Sequence, residues 1–260
     1  MSAEYLQKLF GLDGQTAVVI GGGGVLGAAL CRGLAGAGAH VVVADLNEDG
    51  CTACVEVLSG DGGQASHCTV DVTQRASLEA LLDEAKKVTG RVDILVNCAG
   101  VNFGSRFLEH PVEQWDRVMA INLRATFESC QVFGAHMAEA GGGSIVNIGS
   151  MTSHLPLSRV FGYSASKAGV LNLTRNIAND LAEKNVRVNA ICPGFFPAEQ
   201  NRKLLDQDRI DSIMRGTPLK RFGEPEELIG ALLLLVAPVG GSFITGTYVN
   251  VDGGFTAAWF

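Results

Sequence analysis

The sequence predicts an α/β protein in which strands alternate with helices, on the basis of three observations. Short β-branched runs, such as residues 16–20 and 40–44, are each followed by a segment with helical composition. A glycine-rich turn at residues 21–27 joins the first run to the first helix. With 260 residues, 47% of them hydrophobic, the chain can bury a large core. This length fits one large α/β domain or two small ones.

Composition and charge argue against several kinds of partner. The formal net charge is −7, and no cluster of Lys and Arg reverses its sign locally, so no nucleic-acid partner is expected. Residues 1–10 mix charged and apolar side chains and do not have the pattern of a signal peptide. The longest apolar run, 228–237, is half as long as the roughly 20 residues that a membrane span needs. We therefore expect a cytoplasmic protein with no membrane partner.

Seven cysteines raise the question of a metal site or of disulfides. Cys51 and Cys54 form a single Cys-x-x-Cys, but no second pair and no nearby His stands at ligand spacing, and a structural zinc needs four ligands. The other five lie in apolar runs, where a thiol behaves as a small hydrophobic side chain. We expect reduced thiols, no bound metal and no cysteine nucleophile.

The first segment that carries chemistry is the glycine turn. Gly22, Gly24 and Gly27 match G-x-G-x-x-G between a strand and a helix. Glycines at such a turn let the backbone approach a pyrophosphate, whose charge the helix N-terminus stabilises. The turn therefore predicts a dinucleotide site, although a glycine-rich turn without a ligand has the same composition.

The second strand ends at Asp45. A carboxylate at this strand end accepts hydrogen bonds from the adenosine ribose hydroxyls and repels a 2′-phosphate. The glycine turn contains no basic residue, and neither Leu46 nor Asn47 supplies one after the strand. The sequence thus favours NAD(H) over NADP(H). In the alternative interpretation, Asp45 caps the helix that begins near Asn47.

Two further strand ends carry candidate ligand contacts. Residues 64–70 are predicted to form a third strand, which closes at Asp71 and Val72. The strand at 92–96 runs into Asn97-Cys-Ala-Gly100, whose small residues leave room for a ligand above a parallel sheet.

Two helices are predicted from apolar periodicity, at residues 78–88 and 111–137. The second contains Asn122 among apolar neighbours. A buried Asn needs hydrogen-bond partners, so this residue is either a structural hub or a site residue.

The segment 149–167 places a serine, a tyrosine and a lysine at the spacing of an acid/base centre. Tyr163 and Lys167 are four residues apart and share one face if the segment opens a helix. A phenol has a reference pKa of about 10, and a neighbouring ammonium lowers it, which favours proton exchange with a substrate oxygen. Ser150 follows the strand-like run 144–148, so its hydroxyl can approach the phenol. Taken alone, the same Tyr-Lys spacing is also common on exposed helix faces.

These motifs, in this order, resemble those of the short-chain dehydrogenases/reductases over nearly the whole chain. Pro193-Gly194 and the terminal 251–254 segment, Val-Asp-Gly-Gly, add to the match. The resemblance implies one doubly wound Rossmann domain over residues 1–260, with about seven parallel strands and helices on both faces. It also implies a substrate lid at about 195–220, a small-molecule substrate and a homotetramer.

The resemblance assigns a catalytic tetrad residue by residue. Tyr163 is the general acid/base, Lys167 lowers its pKa and holds the nicotinamide ribose, Ser150 hydrogen-bonds the reacting oxygen, and Asn122 anchors a water in the proton relay. The coenzyme implied is NAD, with NADP less favoured. The residues implied to hold it are Gly21, Gly24, Val25, Leu26, Gly27, Asp45, Leu46, Asp71, Val72, Asn97, Ala99, Gly100, Tyr163, Lys167, Pro193, Gly194 and Phe196.

The chain departs from the family pattern at the glycine turn and after Pro193-Gly194. Ile20 stands where the family usually has Thr, and Val25 takes the place of the middle glycine, a role that Gly24 next to it is expected to fill. Ala198 stands where a Thr often caps the carboxamide region.

A narrower resemblance is to the D-mannonate oxidoreductase (fructuronate reductase) branch. It is carried by residues 21–27, 131–138, 150–151 with 156–159, 193–202 and 221–227. It implies a sugar acid oxidised at a secondary alcohol, or formed from its keto acid. The carboxylate of such a substrate needs a cationic partner, for which Arg159 and Arg202 are candidates and His154 an assistant. Each arginine is equally well explained as an ordinary surface or lid residue.

Two other functions remain open at this point. A 3-oxoacyl carrier-protein reductase is expected to use NADPH and to carry a basic docking patch, which the acidic composition does not favour. A non-catalytic nucleotide-binding scaffold would not need the tetrad. The aromatic tail 255–260 is expected to pack against a neighbouring subunit.

Overall fold

The computed structural model describes residues 2–196 and 207–257. Seven strands form one parallel sheet in the order β3-β2-β1-β4-β5-β6-β7. The strands are β1 (Thr16–Ile20), β2 (His40–Asp45), β3 (Gln64–Thr69), β4 (Ile94–Asn97), β5 (Gly143–Ile148), β6 (Val186–Pro193) and β7 (Tyr248–Val251). The α-helices among the described residues are α1 (Ala3–Phe10), α2 (Val25–Gly36), α3 (Glu48–Gly60), α4 (Arg75–Thr89), α5 (Val112–Met119), α6 (Ala125–Glu139), α7 (Phe161–Leu181), α8 (Gln207–Gly216) and α9 (Ile229–Val236). The predicted doubly wound parallel sheet is confirmed.

Helices cover both faces of the sheet. Successive side chains of a strand point to opposite faces, so each inner strand contributes to two cores. In β1, Ala17 and Val19 belong to a core that also holds side chains of α2, α3 and α9. Val18 and Ile20 belong to a second core, built with α4, α6 and α7. This double coverage explains why the inner strands are apolar runs rather than alternating ones.

The main difference from prediction lies in the helix expected over residues 111–137. A π-helical turn, Ala120–Arg124, separates α5 from α6. Asn122 lies inside this turn and is fully buried. A π-turn inserts an extra residue into the helix and is frequent at functional sites, so the interruption marks this part of the chain for attention.

The aromatic tail is described as far as Ala257, and residues 258–260 lie outside the described part of the chain. The Phe255 ring packs edge-on against Phe195 of the same chain, with ring centres 5.5 Å apart. Across residues 2–196 and 207–257, no helix is long and apolar enough to span a membrane.

The sheet topology fixes where a ligand can bind. β1 pairs with β2 on one side and with β4 on the other, so the strand order reverses at β1. In open parallel sheets the crevice at this reversal, beyond the carboxyl ends of the strands, is the usual ligand site. The glycine turn leaves β1 at that crevice.

The second core offers a matched test of the packing. Phe133 and Phe127 both lie on α6, but Phe133 is fully buried and Phe127 is 46% exposed. Phe133→Ala is expected to lower the free energy of unfolding by about 3–5 kcal/mol, because it leaves a cavity. Phe127→Ala is expected to change it by about 0.5 kcal/mol. Urea denaturation measures both, and equal losses would contradict this placement of the core.

Candidate active site

A cleft of about 980 Å³ opens at the carboxyl edge of the sheet. Its walls come from the glycine turn, the ends of β2, β3 and β4, and the first turns of α7. Most of the residues predicted to hold a coenzyme line this cleft. They are Gly21, Gly24, Val25, Leu26, Gly27, Asp45, Leu46, Asp71, Val72, Ala99, Gly100, Tyr163, Lys167 and Phe196.

Three predicted coenzyme residues do not line the cleft: Asn97, Pro193 and Gly194. The Asn97 amide is used inside the protein, where it donates to Asn147 Oδ1 at 2.8 Å and accepts from Ser129 Oγ at 2.7 Å. Pro193 ends β6, and the Gly194 N–H donates to the Val251 carbonyl at 2.9 Å. These positions therefore support the cleft rather than form its surface.

The glycines of the turn have different physical roles. Gly21 has a φ of +84°, and a Cβ there would lie 2.5 Å from the Ala99 backbone nitrogen. A Cβ on Gly27 would overlap the Gly21 carbonyl oxygen. At Gly24, by contrast, a Cβ would come no closer than 3.5 Å to its neighbours. The close packing of the turn thus requires Gly21 and Gly27, while Gly24 faces the open cleft.

The N-terminus of α2 is suited to bind an anion. Gly24 is its N-cap residue and offers no side-chain cap. The first backbone N–H groups of a helix have no partner within it and carry a partial positive charge. Val25, Leu26 and Gly27 carry these groups and line the cleft. This arrangement fits a pyrophosphate without any basic side chain.

Two carboxylates stand on the other side of the turn. Asp45 accepts the Asn47 N–H on Oδ1 at 3.1 Å, and its Oδ2 has no hydrogen-bond partner within the described chain. The N-cap of α3 is Asn47, whose Oδ1 accepts the Gly50 N–H at 3.3 Å. The interpretation of Asp45 as the helix cap is therefore wrong, and one of its oxygens is available to a ligand.

Asp71 is held by Thr73, which donates both its backbone N–H, at 2.9 Å, and its hydroxyl, at 2.7 Å, to Asp71 Oδ1. The hydroxyl bond is the larger cause of a lowered Asp71 pKa. The cleft is thus lined by two carboxylates near the ends of β2 and β3.

Tyr163 and Lys167 line the cleft, and Ser150 is buried behind its surface, where it interacts with Tyr163. Tyr163 lies in the first turn of α7, and Lys167 Nζ, one turn later, is 5.7 Å from the centre of its ring. Lys167 is 4% exposed and donates to the Ile148 carbonyl at 2.7 Å. Ser150 Oγ accepts the Thr152 N–H at 3.1 Å, so its own proton is available to an acceptor. Interaction with the Ser150 hydroxyl acts to lower the pKa of the Tyr163 phenol.

Burial dominates the protonation of this group. It raises the pKa of the Tyr163 phenol, and the Ser150 hydrogen bond opposes it. Burial also lowers the pKa of Lys167 to about 8. Desolvation disfavours both charged forms, so the net direction of the Tyr163 pKa is upward. The expectation that the Lys167 charge lowers the Tyr163 pKa stays a prediction. Tyr163 is a phenol, and most Lys167 side chains are ammonium ions, at neutral pH.

Asn122 is a structural hub. Its Oδ1 accepts the Val101 N–H at 2.8 Å, and its Nδ2 donates to the Val101 carbonyl at 2.9 Å and to Ser166 Oγ at 3.1 Å. The Asn122 backbone carbonyl accepts the Thr126 hydroxyl at 2.8 Å. The side chain thereby joins the loop after β4 to α7, and it does not line the cleft.

Of the residues predicted to bind the substrate, the two that the structure describes are not found in the lining of the cleft. His154 is exposed and packs on the Tyr248 ring, with ring centres 4.7 Å apart. Arg159 is exposed, with a left-handed φ of +69°. Neither lines the cleft, and Arg202 lies outside the described residues, as does Ala198.

Part of the expected lid is described. Its helix α8 lies close to the segment that precedes Tyr163: the Arg209 guanidinium is 3.5 Å from Ser158 Oγ. Helix α8 and the loop between Ser150 and Tyr163 are therefore neighbours.

Several cleft residues were missed from the sequence. They are Asn47, Thr73, Val101, Arg117 and Ile121. A Thr two residues after a strand-end Asp is a recognisable signal, but nothing in the local pattern distinguishes Arg117 from other helix arginines. Among the described residues no group of His, Cys, Asp and Glu is arranged to hold a metal, and the seven cysteines are free thiols.

Known proteins are similar to this chain over most of its length. A family model described as enoyl-(acyl carrier protein) reductase matches residues 24–256. The chain is 37% identical to the D-threitol dehydrogenase of Mycolicibacterium smegmatis, with 95% of each protein covered. It is 34% identical to the 5-keto-D-gluconate 5-reductase of Escherichia coli, over 97% of this chain and 100% of that protein.

A solved structure is similar throughout. The gluconate 5-dehydrogenase of Burkholderia cenocepacia J2315, in complex with NADP and tartrate, superposes with a TM-score of 0.92 and 34% identity, over 98% of this chain and 100% of that chain. At this identity the similarity extends beyond the fold to relatedness.

The pKa directions can be measured on the tyrosines, of which the chain has three. With ¹³C at the tyrosine Cζ, NMR titration is expected to give Tyr163 a midpoint above the ordinary value of about 10. Ser150→Ala should raise the midpoint further, because the hydrogen bond that favours the phenolate is lost. Tyr163→Phe assigns the resonance. A midpoint below 10 would show that the Lys167 charge outweighs burial.

Proposed function

The chain belongs to the short-chain dehydrogenase/reductase family and is an oxidoreductase that acts on CH–OH groups; we propose that it uses NAD(H) to interconvert a secondary alcohol and a ketone on a sugar acid or a related polyol. One observation carries the proposal. One cleft of about 980 Å³ joins the glycine turn and Asp45 to Tyr163 and Lys167, where a substrate oxygen can meet a proton donor.

The residues of the cleft fit a nicotinamide dinucleotide. Gly21 and Gly27 bring the backbone close to its pyrophosphate, and the N-terminus of α2 stabilises the phosphate charge. Asp45 accepts hydrogen bonds from the adenosine ribose. Lys167 holds the nicotinamide ribose. When bound, the nicotinamide supplies or takes up the hydride at its C4 atom.

The protein's own part of the chemistry is proton transfer. In ketone reduction, Tyr163 donates its phenolic proton to the carbonyl oxygen, and in alcohol oxidation it takes the proton back. Ser150 donates a hydrogen bond to the same oxygen. The Ser150 Oγ can accept the Thr152 N–H at the same time. The Lys167 ammonium stabilises the phenolate that forms transiently. Asn122 holds the loop and helix on which these groups stand.

NAD(H) is proposed as the coenzyme because the Asp45 carboxylate is negatively charged. Asp45 is the side chain at the ribose end of the cleft that can take both hydroxyls, and its negative charge opposes a 2′-phosphate. The related gluconate 5-dehydrogenase was solved with NADP, so the preference is a property to be tested on this chain.

The substrate proposal follows the relatives. Their names include a polyol, D-threitol, and a keto sugar acid, 5-keto-D-gluconate. Within that group we propose the D-mannonate/D-fructuronate pair, on the motifs quoted from the sequence. The proposal also includes the features that the family resemblance implies: a single domain over 1–260 with a lid at about 195–220, a homotetramer and a cytoplasmic location.

A second candidate function is a 3-oxoacyl carrier-protein reductase. A related 3-oxoacyl-[acyl-carrier-protein] reductase from Thermotoga maritima, 32% identical over 94% of this chain, favours it. Asp45 and the net charge of −7 disfavour it, because NADPH and an acidic carrier protein both call for basic residues.

A turnover screen tests the proposal directly. NAD⁺ and NADP⁺ are offered with aldonates and polyols, and NADH and NADPH with keto sugar acids and 3-oxoacyl thioesters. We expect turnover on an aldonate or polyol with NAD⁺, which Tyr163→Phe abolishes while NADH still binds. Turnover restricted to acyl thioesters with NADPH would establish the second candidate. Activity of Tyr163→Phe equal to that of the unsubstituted chain would refute the proton-transfer role.

The coenzyme preference is tested at Asp45. Asp45→Asn removes the charge and weakens the ribose contact, so the NAD⁺/NADP⁺ ratio of kcat/KM is expected to fall about 10- to 100-fold, the value of a hydrogen bond to a charged group. The control is Asp49→Asn, an exposed acid on α3 that does not line the cleft. Steady-state kinetics with both coenzymes measure the ratio. An unchanged ratio would remove Asp45 from the coenzyme site.

A further inference from the structure

We propose that Arg117 binds the adenine ring of the coenzyme, from the wall of the cleft opposite the glycine turn. This inference rests on the proposed use of a nicotinamide dinucleotide. Arg117 lies in the last turn of α5, is exposed, and lines the cleft.

The location of Arg117 follows from its helix. Ile121, one turn later on the same face, borders a small cavity together with Ile20, Val72 and Ala99. Arg117 therefore lies on the side of the cleft where β3 ends, near Val72. This is the adenosine half, since Asp45 ends the adjacent strand β2.

The two walls of the cleft belong to opposite faces of the sheet. The helix that follows the glycine turn, α2, packs into the first core, while α6, which continues from α5, packs into the second. A dinucleotide along the sheet edge is therefore bounded by the glycine turn on one side and by Arg117 on the other.

Arg117 is one of few positively charged side chains that the structure describes at the cleft. Among the described residues, Lys167 and Arg117 are the two cationic side chains that line it. Lys167 is committed to the Ile148 carbonyl and lies beside Tyr163. The Arg117 guanidinium forms no ion pair or hydrogen bond with the described chain. The Arg124 guanidinium, in the next part of the same helical stretch, pairs with Glu128 at 2.8 Å.

An adenine contact suits this arginine better than a phosphate contact. The pyrophosphate is already met on the opposite wall by the α2 N-terminus. Near Arg117 the cleft offers apolar surface from Val72, and Leu46, which is 69% exposed, stands at its edge. A planar guanidinium stacks on a flat aromatic ring and is weakly hydrated, so it can close such a pocket over a purine.

The test measures binding rather than turnover. Arg117→Ala is expected to weaken binding of NADH and of ADP-ribose about three- to tenfold, as loss of a cation–π contact does. Binding of nicotinamide mononucleotide, which lacks the adenosine, should not change. Arg117→Lys should restore only part of the affinity, because it keeps a cation over the ring but loses the planar stacking of the guanidinium. The control is Arg106→Ala, an exposed arginine that does not line the cleft.

Titration calorimetry gives the dissociation constants, and thermal unfolding verifies that each variant is folded, as expected for exposed residues. Unchanged ADP-ribose affinity in Arg117→Ala would overturn the inference. Full restoration by lysine would overturn it as well, by assigning a charge contact with phosphate. Failure of the unsubstituted chain to bind NADH would instead overturn the proposed function, so the two failures are distinguishable.

Discussion

The buried ammonium of Lys167 is the interaction on which the site depends. Its bond to the Ile148 carbonyl ties α7 to the end of β5, the strand that delivers Ser150. A charge in such a position has lost most of its hydration, which is why the Lys167 pKa falls to about 8. In the proposed mechanism a transient phenolate forms beside this ammonium, so the cost of burying the charge falls where a cation is needed.

Protonation in this cluster is set by a balance between burial and contact. Burial favours the neutral phenol of Tyr163, while the Ser150 hydrogen bond favours the phenolate. A phenol that stays protonated at neutral pH is a competent proton donor for ketone reduction. For alcohol oxidation, the proposed mechanism needs positive charge to oppose this effect of burial, and Lys167 is the cation beside the phenol.

The π-helical turn gives the wall opposite the glycine turn its shape. It places the Asn122 amide against Val101 and Ser166, so the loop after β4, the α5–α6 stretch and α7 are held together. Ile121, in this turn, and Arg117, just before it, line the cleft. One buried hub thus supports the acid/base group at one end and the adenosine half at the other without touching a ligand surface itself.

The sequence by itself determined the features that depend on local spacing: the glycine turn between β1 and α2, Asp45 at a strand end, and Tyr163 and Lys167 one helical turn apart. These follow from the periods of strand and helix, and from the conformations that glycine alone adopts. Tertiary structure decided the rest. The direction of the Tyr163 pKa depends on burial, the inward use of Asn97 depends on partners 32 and 50 residues away, and Arg117 reaches the cleft only through packing of α5. Solvation and contact between distant segments are properties of the folded chain, which no local pattern encodes.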